Sequence, residues 1–457
     1  MRMLRTTGIL LAHFLHLLKS ADQYRKLCSL FYTIWGIIHR EKKGIMAITL
    51  QTLKGFRDFL PAEKRLRDNV ADKIRQSFKN FGFEPLETPT LEYAELLLGK
   101  YGAEADKLVY TFTDRGERQI GLRYDQTVPT ARILAQYQGQ LPKYFRRYQI
   151  QSVFRADKPQ KGRYREFTQC DIDIFGSNSA VADAEILACS YNAFQAVGFT
   201  SAEIYINDRQ SLFATLQPFA TEAISVLSII QTIDKLDKMT PEEVTNELVA
   251  KGLTEPQSKQ VLFELEKSVM SDNLSDIVQK TIALGVPAEK LKFSSSLARG
   301  LDYYTGMIFE IRLPEFKMGS FGGGGRYDHL IEQLGGPNIP AVGIAFGFDR
   351  MVEAAKELNL FGQTNTEAKV LMTLFDENYA AQSLTTAAAF RSAGISVEVF
   401  PSFDKLGKQF KHADARQIPW VAIIGESEVK NQKITLKNMA TGDQFDLSLT
   451  DAIAKLS

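Results

Sequence analysis

Leu66, Val70, Ile74 and Phe78 recur every four residues after Pro61. That spacing lays them along one face of a 3.6-residue period and predicts an amphipathic helix. Proline suits its first turn, and the helix is expected to stop near Phe81 and Gly82. "FEPLETPTLE" then reads as a strand interrupted by Pro85 and Pro89, which suits an edge or a subunit boundary. "YTFTDRGERQIGLRYD" predicts a hairpin turning at Asp114, Arg115 and Gly116. "YFRRYQIQSVFRAD" and "REFTQCDIDIFG" predict a longer one, joined by a loop of Lys, Arg, Pro and Gly. A helix follows over about 180–196, and strands return at "SAEIYIND" and "GMIFEIRL".

Residues from roughly 211 to 292 are rich in Leu, Glu, Lys, Gln and Ser at helical spacing, which predicts a helical insertion. "GSFGGGGRYDHLIEQLGG" is the most glycine-dense stretch, and "AVGIAFGFDRMVEAAKEL" reads as a strand passing through glycines into a helix. After the polar linker "FGQTNTEA" the pattern becomes strand, helix, strand, helix, strand, as expected of a small separate α/β domain. The fold class expected is α+β: an antiparallel sheet flanked by helices, with a helical insertion and a C-terminal α/β domain. Expected boundaries are 1–45 for an N-terminal extension, 46–365 for the main domain and 366–457 for the last one. A doubly wound nucleotide fold is not expected, because no G-x-G-x-x-G follows a first strand and no G-x-x-x-x-G-K-[ST] occurs.

With 457 residues, 44% apolar and 24% charged, the chain has the composition of a soluble multidomain protein. Its net charge of +1 gives a polyanion no global attraction, so nucleic-acid binding must come from local basic patches. Cys28, Cys170 and Cys189 form no C-x-x-C pair, which argues against a disulfide framework or structural zinc. The five histidines are His13, His16, His39, His329 and His412, and three of them lie in the first forty residues. Chemistry is therefore expected from Arg, Asp, Gln and Tyr, with no protein-bound metal. The first 45 residues carry eight basic and two acidic residues and two apolar runs. Neither run reaches the roughly 18 residues of a membrane span. They read as an upstream extension without a fold, with Met46 as the start; a targeting presequence is the alternative.

Four stretches could carry chemistry. Arg155, Arg163 and Arg165 surround the loop of the long hairpin, and guanidinium forks suit phosphate oxygens. Phe167 could stack on a purine there, while the plain alternative is a solvated basic tip above a core Phe. In "SSSLARGLDYYTGMIFE", Arg299 precedes a strand expected to point Tyr303 and Tyr304 to opposite faces. "GGGGRYD" removes side chains where a backbone runs close to something, just before Tyr327 and Asp328. Arg350 in "GFDRM" opens a helix after a glycine-flanked strand.

Taken together these stretches resemble the class II aminoacyl-tRNA synthetases, specifically the histidyl-tRNA synthetase family, from about Leu50 to the C-terminus. "GFEPLETP" with its helix resembles motif 1, "VFRADKPQKGRYREFTQCDIDIFG" motif 2 and "AVGIAFGFDRM" motif 3. "ARGLDYYTG" and "GGGGRYDHLIEQLGG" resemble the two histidine-specific signatures, and the last domain resembles the anticodon-binding domain. The resemblance implies ATP-dependent ligation of L-histidine to tRNA(His) through a histidyl-adenylate, by a cytoplasmic homodimer with no membrane association. It implies that Arg155 bridges the α-phosphate and the amino-acid carboxylate, with Arg299 on the phosphate's other side. Phe167 would stack on adenine, and Arg163 or Arg165, with Arg350, would hold the outer phosphates. Asp125, Thr127 and Gln169 would take the substrate ammonium; some members carry Glu at the position of Asp125, which reaches further.

Asp173 and a tyrosine hydroxyl, Tyr304 foremost, would read the imidazole, with Tyr303 and Tyr327 lining the pocket. Mg²⁺ would travel with ATP, held mainly by the phosphates. On the C-terminal domain, Lys405, Lys408, Lys411 and Arg416 would face tRNA on or beside one helix, whose plain alternative is a solvated face. Two rivals share the fold: a regulatory subunit of ATP phosphoribosyltransferase and a tRNA-sensing module of a regulatory protein. The first usually lacks the last domain, and the second needs a kinase signature that is absent.

Overall fold

The computed structural model describes residues 50–98, 107–159, 164–299, 303–316, 319–362 and 366–457. The expectations for residues 1–45 and for Arg163 lie outside the described residues.

The predicted first helix is α1, Pro61–Asn80, with proline in its first turn. Val70, Ile74 and Phe78 are fully buried, and Leu66 packs partly buried against the same core. "FEPLETPTLE" is two strands rather than one. β1, Glu84–Pro85, pairs parallel with β5 at the sheet edge, while β2, Leu91–Tyr93, joins a small separate sheet with β3, Thr111–Thr113, and β4, Gln119–Leu122. Pro89 lies between them, where a ladder N–H is not needed. The β3–β4 turn is tied by Asp114, whose Oδ1 accepts from the Gly116 and Arg118 backbone N–H groups. Helix α2 follows, Thr127–Gln136.

The long hairpin is β5, Phe145–Phe154, and β6, Glu166–Phe175. Its ten-residue antiparallel register runs from Phe145 opposite Phe175 to Phe154 opposite Glu166. Then come α3, Ala180–Val197, capped by Ser179, and β7, Glu203–Asp208. Five helices fill the next stretch: α4 Arg209–Leu216, α5 Val226–Ile233, α6 Pro241–Ala250, α7 Glu255–Lys267 and α8 Asp272–Ala283. They lead into β8, Leu291–Phe293, which pairs parallel with β7. A parallel neighbour cannot be reached by a tight turn, so these helices form the crossover. α4 to α7 bury a core of their own around Ile229, Ile230, Val244 and Val261.

β9 Met307–Arg312, β10 Gly322–Arg326 and β11 Ala341–Phe346 complete an eight-stranded sheet of order β1-β5-β6-β11-β10-β9-β7-β8. Period-two alternation divides its faces. On β6 and β11, Cys170, Ile172, Ile174, Val342, Ile344 and Phe346 enter the core under α1 and α3. The opposite face is left to Gln169, Asp171, Asp173, Gly343 and Ala345. After β11 comes α9, Phe348–Glu357. Its Asp349 accepts from Arg57 Nη2 at 2.9 Å, Arg67 Nη1 at 2.5 Å and the Thr168 backbone N–H at 3.3 Å. One carboxylate thereby joins the segment before α1, α1 itself, β6 and α9.

Residues 370–456 build a five-stranded sheet of order β13-β12-β14-β15-β16. Its strands are β12 Val370–Met372, β13 Val397–Val399, β14 Trp420–Ile423, β15 Ile434–Asn438 and β16 Gln444–Leu447. Helices α10 Ala380–Ser392, α11 Leu406–Ala415 and α12 Leu449–Leu456 accompany it. The predicted strand-helix-strand-helix-strand run forms the parallel part, β13-β12-β14. The antiparallel pair β15–β16 and α12 lay beyond that reading. Among the described residues no helix is long and apolar enough to cross a membrane.

Arg326 at the end of β10 donates from Nε and Nη2 to Asp183 on α3, at 3.0 and 2.5 Å, out of solvent. Removing one partner of a buried pair strands the other charge. Asp183→Ala is expected to cost about 3–5 kcal/mol of stability, read as a lowered urea midpoint. A loss below about 1 kcal/mol, the range of exposed pairs, would show that α3 is held by its apolar face alone.

Candidate active site

A cavity of about 350 Å³ opens on the polar face of the large sheet. Its wall draws Asp125 and Thr127 from the start of α2, Arg155 from the end of β5, and Gln169, Asp171 and Asp173 from β6. Arg299, Tyr303, Tyr304 and Tyr327 close it from the loops around β9 and β10, and Gly323, Gly324 and Gly343 form part of its floor. A larger cavity of about 730 Å³ beside α4 shares Tyr304 as a wall, but it gathers Arg209 and His329 with mostly apolar neighbours.

Arg155 Nε donates to the Tyr124 carbonyl at 3.2 Å. Its guanidinium lies 4.3 Å from the Tyr124 ring centre and 5.1 Å from that of Phe167. The charge is thus held by two aromatic faces, an arrangement that fixes a cation without neutralising it. Arg299 Nη1 donates to Glu310 Oε1 at 2.8 Å. Burial opposes the Arg299 charge, but Tyr304 and Glu310 beside it outweigh that cost and raise its pKa above the ordinary arginine value. The Arg299 backbone sits at φ 53°, in the left-handed region that an arginine enters only at some strain.

Asp173 is 5% exposed and lies between a cation and a hydroxyl. Arg147, its register partner on β5, brings Nη2 to 2.7 Å from Oδ2, and the Tyr327 hydroxyl donates to Oδ1. Gln169 Nε2 donates to Asp171 Oδ2 at 2.9 Å. Asp125 Oδ1 accepts the Val128 N–H at 3.1 Å, which pins it to the positive end of α2. Burial pushes the carboxyls of Asp171 and Asp173 up, Asp171 the further, against the pull of Arg147. Burial next to Asp173 likewise pushes the Tyr327 hydroxyl well above its usual range.

Two of the four consecutive glycines make room for side chains of the cavity. A Cβ on Gly323 would overlap the Arg299 guanidinium, and one on Gly325 would press on the Tyr304 ring. A Cβ on Gly343, the β11 neighbour of Asp173, would overlap the Asp173 carboxylate. The glycine strand is flat so that side chains from other elements can lie across it.

Nine of the residues singled out from sequence line this one cavity: Asp125, Thr127, Arg155, Gln169, Asp173, Arg299, Tyr303, Tyr304 and Tyr327. One reading changes. Tyr303 and Tyr304 precede β9 in a turn, and their rings lie on the same side with centres 4.6 Å apart, not on opposite faces. The Asp173 carboxylate, expected to read the imidazole together with Tyr304, itself accepts from the Tyr327 hydroxyl. Three more sit elsewhere. Phe167 stands under Arg155. Arg165 Nε donates to the Asp157 carbonyl, and Arg350 Nη1 to the Ser320 carbonyl at 2.6 Å. Arg163 is outside the described residues.

On the C-terminal unit Lys405, Lys408, Lys411 and Arg416 are all exposed. Lys408 pairs with Asp404 at 2.9 Å and Arg416 with Glu398 at 3.6 Å. Sequence reading missed Arg147, Tyr124 and Glu310. The signal for Arg147 was a period-two match: an arginine facing the Asp173 rung of the same hairpin. Among the described residues no group of three or more His, Cys, Asp or Glu could hold a metal ion.

The family model for histidyl-tRNA synthetase matches residues 55–351. The chain belongs to that family. It is a class II aminoacyl-tRNA synthetase, as the motifs predicted, and the anticodon-binding-domain model matches residues 368–457. The histidine–tRNA ligase of Cytophaga hutchinsonii is 37% identical over 446 residues, 88% of this chain and 98% of that protein. That of Wolinella succinogenes is 37% identical over 434 residues, 90% and 98%. The crystal structure of histidyl-tRNA synthetase from Nostoc superposes with a TM-score of 0.80 at 30% identity, covering 90% of this chain and 99% of that one. An ATP phosphoribosyltransferase regulatory subunit/histidyl-tRNA synthetase from Bacillus halodurans superposes at 0.68 with 20% identity, covering 80% and 97%, a likeness of fold alone.

Two outcomes test the geometry. Gly343→Ala is expected to weaken substrate binding at the Asp173 end by roughly a hundredfold, the effect of displacing a buried charged partner; calorimetric titration with histidine measures it. The second concerns stability. A folded-state pKa raised above the unfolded one means that the fold favours neutral Asp171. That contribution is whole below the unfolded value and lost as pH rises through the folded one. Asp171→Asn does not titrate, so its urea midpoint is expected to gain on the parent's as pH rises from about 4 to 8. A constant difference across that range would show that Asp171 ionises normally.

Proposed function

We propose that the chain ligates L-histidine to tRNA(His) at the expense of ATP, through a histidyl-adenylate, in protein synthesis. The observation that carries the reading is one cavity in which Arg155 and Arg299, from distant parts of the chain, meet three buried aspartates and three tyrosines. Membership of the family supports the activity, and the matched anticodon-binding model supports a tRNA partner.

In this reading the histidine carboxylate oxygen attacks the α-phosphorus of ATP. The new P–O bond forms as the bond to the bridging oxygen breaks, and pyrophosphate leaves with the electron pair. Negative charge grows on the equatorial oxygens, so fixed cations on two sides stabilise the transition state. Arg155 and Arg299 supply them and need no proton transfer. The tRNA 3′ hydroxyl then attacks the activated carbonyl, and AMP departs. Phe167 stacks on adenine, Arg163 or Arg165 with Arg350 holds the outer phosphates, and Asp125, Thr127 and Gln169 receive the ammonium.

Asp173, oriented by Arg147 and Tyr327, meets the imidazole, and Tyr303 and Tyr304 flank it. A pocket of buried polar groups selects histidine because an analogue without matching N–H groups leaves them unpaired. Mg²⁺ accompanies the β- and γ-phosphates, which hold most of its coordination. That fits a cavity whose cations are arginines and in which Asp173 and Asp125 already have partners of their own. The working form is a cytoplasmic homodimer with a catalytic domain over 46–365 and an anticodon-binding domain over 366–457. Lys405, Lys408, Lys411 and Arg416 lie along the tRNA backbone in this reading.

Pyrophosphate exchange with ATP, assayed across the twenty amino acids, tests the reading: exchange is expected with histidine alone, and none with histidine would overturn it. Arg299→Ala is expected to lower histidine-dependent exchange by about a thousandfold or more while leaving the circular dichroism unchanged. Asp173→Ala is expected to raise the histidine KM at least about tenfold with little change for ATP. An unchanged KM would move the imidazole partner elsewhere.

A further inference from the structure

Three aspartates share the cavity wall, and they are not equally engaged. Asp173 has Arg147 and Tyr327. Asp125 has the start of α2. Asp171, 3% exposed, uses Oδ2 to accept from Gln169, while its Oδ1 is buried with no hydrogen-bond partner among the described residues. Gln169, 8% exposed, is in the same position: its amide N–H is spent on Asp171 and its Oε1 is buried and unpartnered. Arg147 Nη2 stands 3.9 Å from Asp171, beyond hydrogen-bond range. Two buried acceptors without protein donors, side by side on one strand and both on the wall of a cavity, are placed to take N–H donors from a bound ligand.

We propose that Asp171 is a direct ligand of the substrate's α-ammonium group, with Oδ1 as the acceptor beside Gln169 Oε1. The inference rests on the histidine-activating reading of the cavity and adds a charged contact to it. Position along β6 selects the ammonium over the ring. Phe167, beneath Arg155, marks the phosphate end, and Asp173 marks the imidazole end, with Gln169 and Asp171 between them. Alternate residues on a strand are roughly 6.8 Å apart, so the middle of the row meets the middle of a bound histidine. There the Cα carries its ammonium between carboxylate and ring.

Charge agrees. Asp125 is close enough to add its repulsion to that of Asp173 on Asp171, and Arg147 pulls the other way without outweighing burial. A substrate ammonium brings the missing positive charge, and one of its three N–H donors is shared between Asp171 Oδ1 and Gln169 Oε1, the other two serving Asp125 and Thr127. Its arrival supplies the countercharge that burial denies Asp171.

The test compares the full chain with Asp171→Asn, and with Asp171→Ser should the first fail to fold. Two inhibitors of histidine-dependent exchange serve as probes: L-histidinol, which keeps ammonium and imidazole, and imidazolepropionate, which keeps the ring and lacks the ammonium. Loss of a buried charge-assisted contact is expected to raise the histidine KM and the histidinol Ki at least about tenfold. The imidazolepropionate Ki and the ATP KM are expected to stay within about twofold, changes too small for a lost hydrogen bond. A histidine KM within that twofold margin, equal weakening of both inhibitors, or an equal rise in the ATP KM would each overturn the inference. Absence of histidine-dependent exchange in the parent chain would instead overturn the reading on which it rests.

Discussion

The pair between Arg147 and Asp173 lies under the cavity with side-chain exposures of 1% and 7%, and the site is built around it. Two charges taken out of water survive only when each finds a well-placed partner. The partner here is set by strand register, since Arg147 and Asp173 face each other across β5 and β6. A slip of one residue would turn one of the two into the apolar core on the other face and part the pair. The space for the pair is set by β11, where any side chain at Gly343 would occupy the carboxylate's place. Register and missing volume together aim the Asp173 carboxylate.

The same sheet separates stability from chemistry. Its core face buries Cys170, Ile172, Ile174, Val342, Ile344 and Phe346 against α1 and α3, and this apolar burial drives folding. Its cavity face spends some of that gain on strained and underpaired groups: a left-handed Arg299, and carboxyls whose burial opposes their charge. Such groups persist because the surrounding sheet over-determines their positions. The double use of β6, core on even residues and site on odd ones, explains why the returning strand of the hairpin alternates apolar and acidic residues.

Asp349 shows how the far side of the sheet supports this arrangement. One carboxylate receives Arg57, Arg67 and the Thr168 amide, so α1 and α9 are both tied to β6 one residue away from Phe167. The ties run from the motif 1 and motif 3 stretches to the strand that carries the motif 2 carboxylates. The three stretches are therefore parts of one mechanical unit, although the chain separates them widely.

What the sequence determined by itself was periodicity and residue type. Val70, Ile74 and Phe78 announced α1, the alternation of "CDIDIF" announced β6, and the arginine and tyrosine inventory announced a site that works by charge and position. Local patterns suffice there because helix and strand periods act over a few residues. The tertiary structure decided which groups meet. That Tyr327 binds Asp173, that both tyrosines before β9 point the same way, and that Gly323 and Gly325 make room for Arg299 and Tyr304 all depend on neighbouring strands. Arg147 was one arginine among many until register set it opposite Asp173. Pairing across a sheet joins residues far apart in sequence, and no local period encodes which of them will be neighbours.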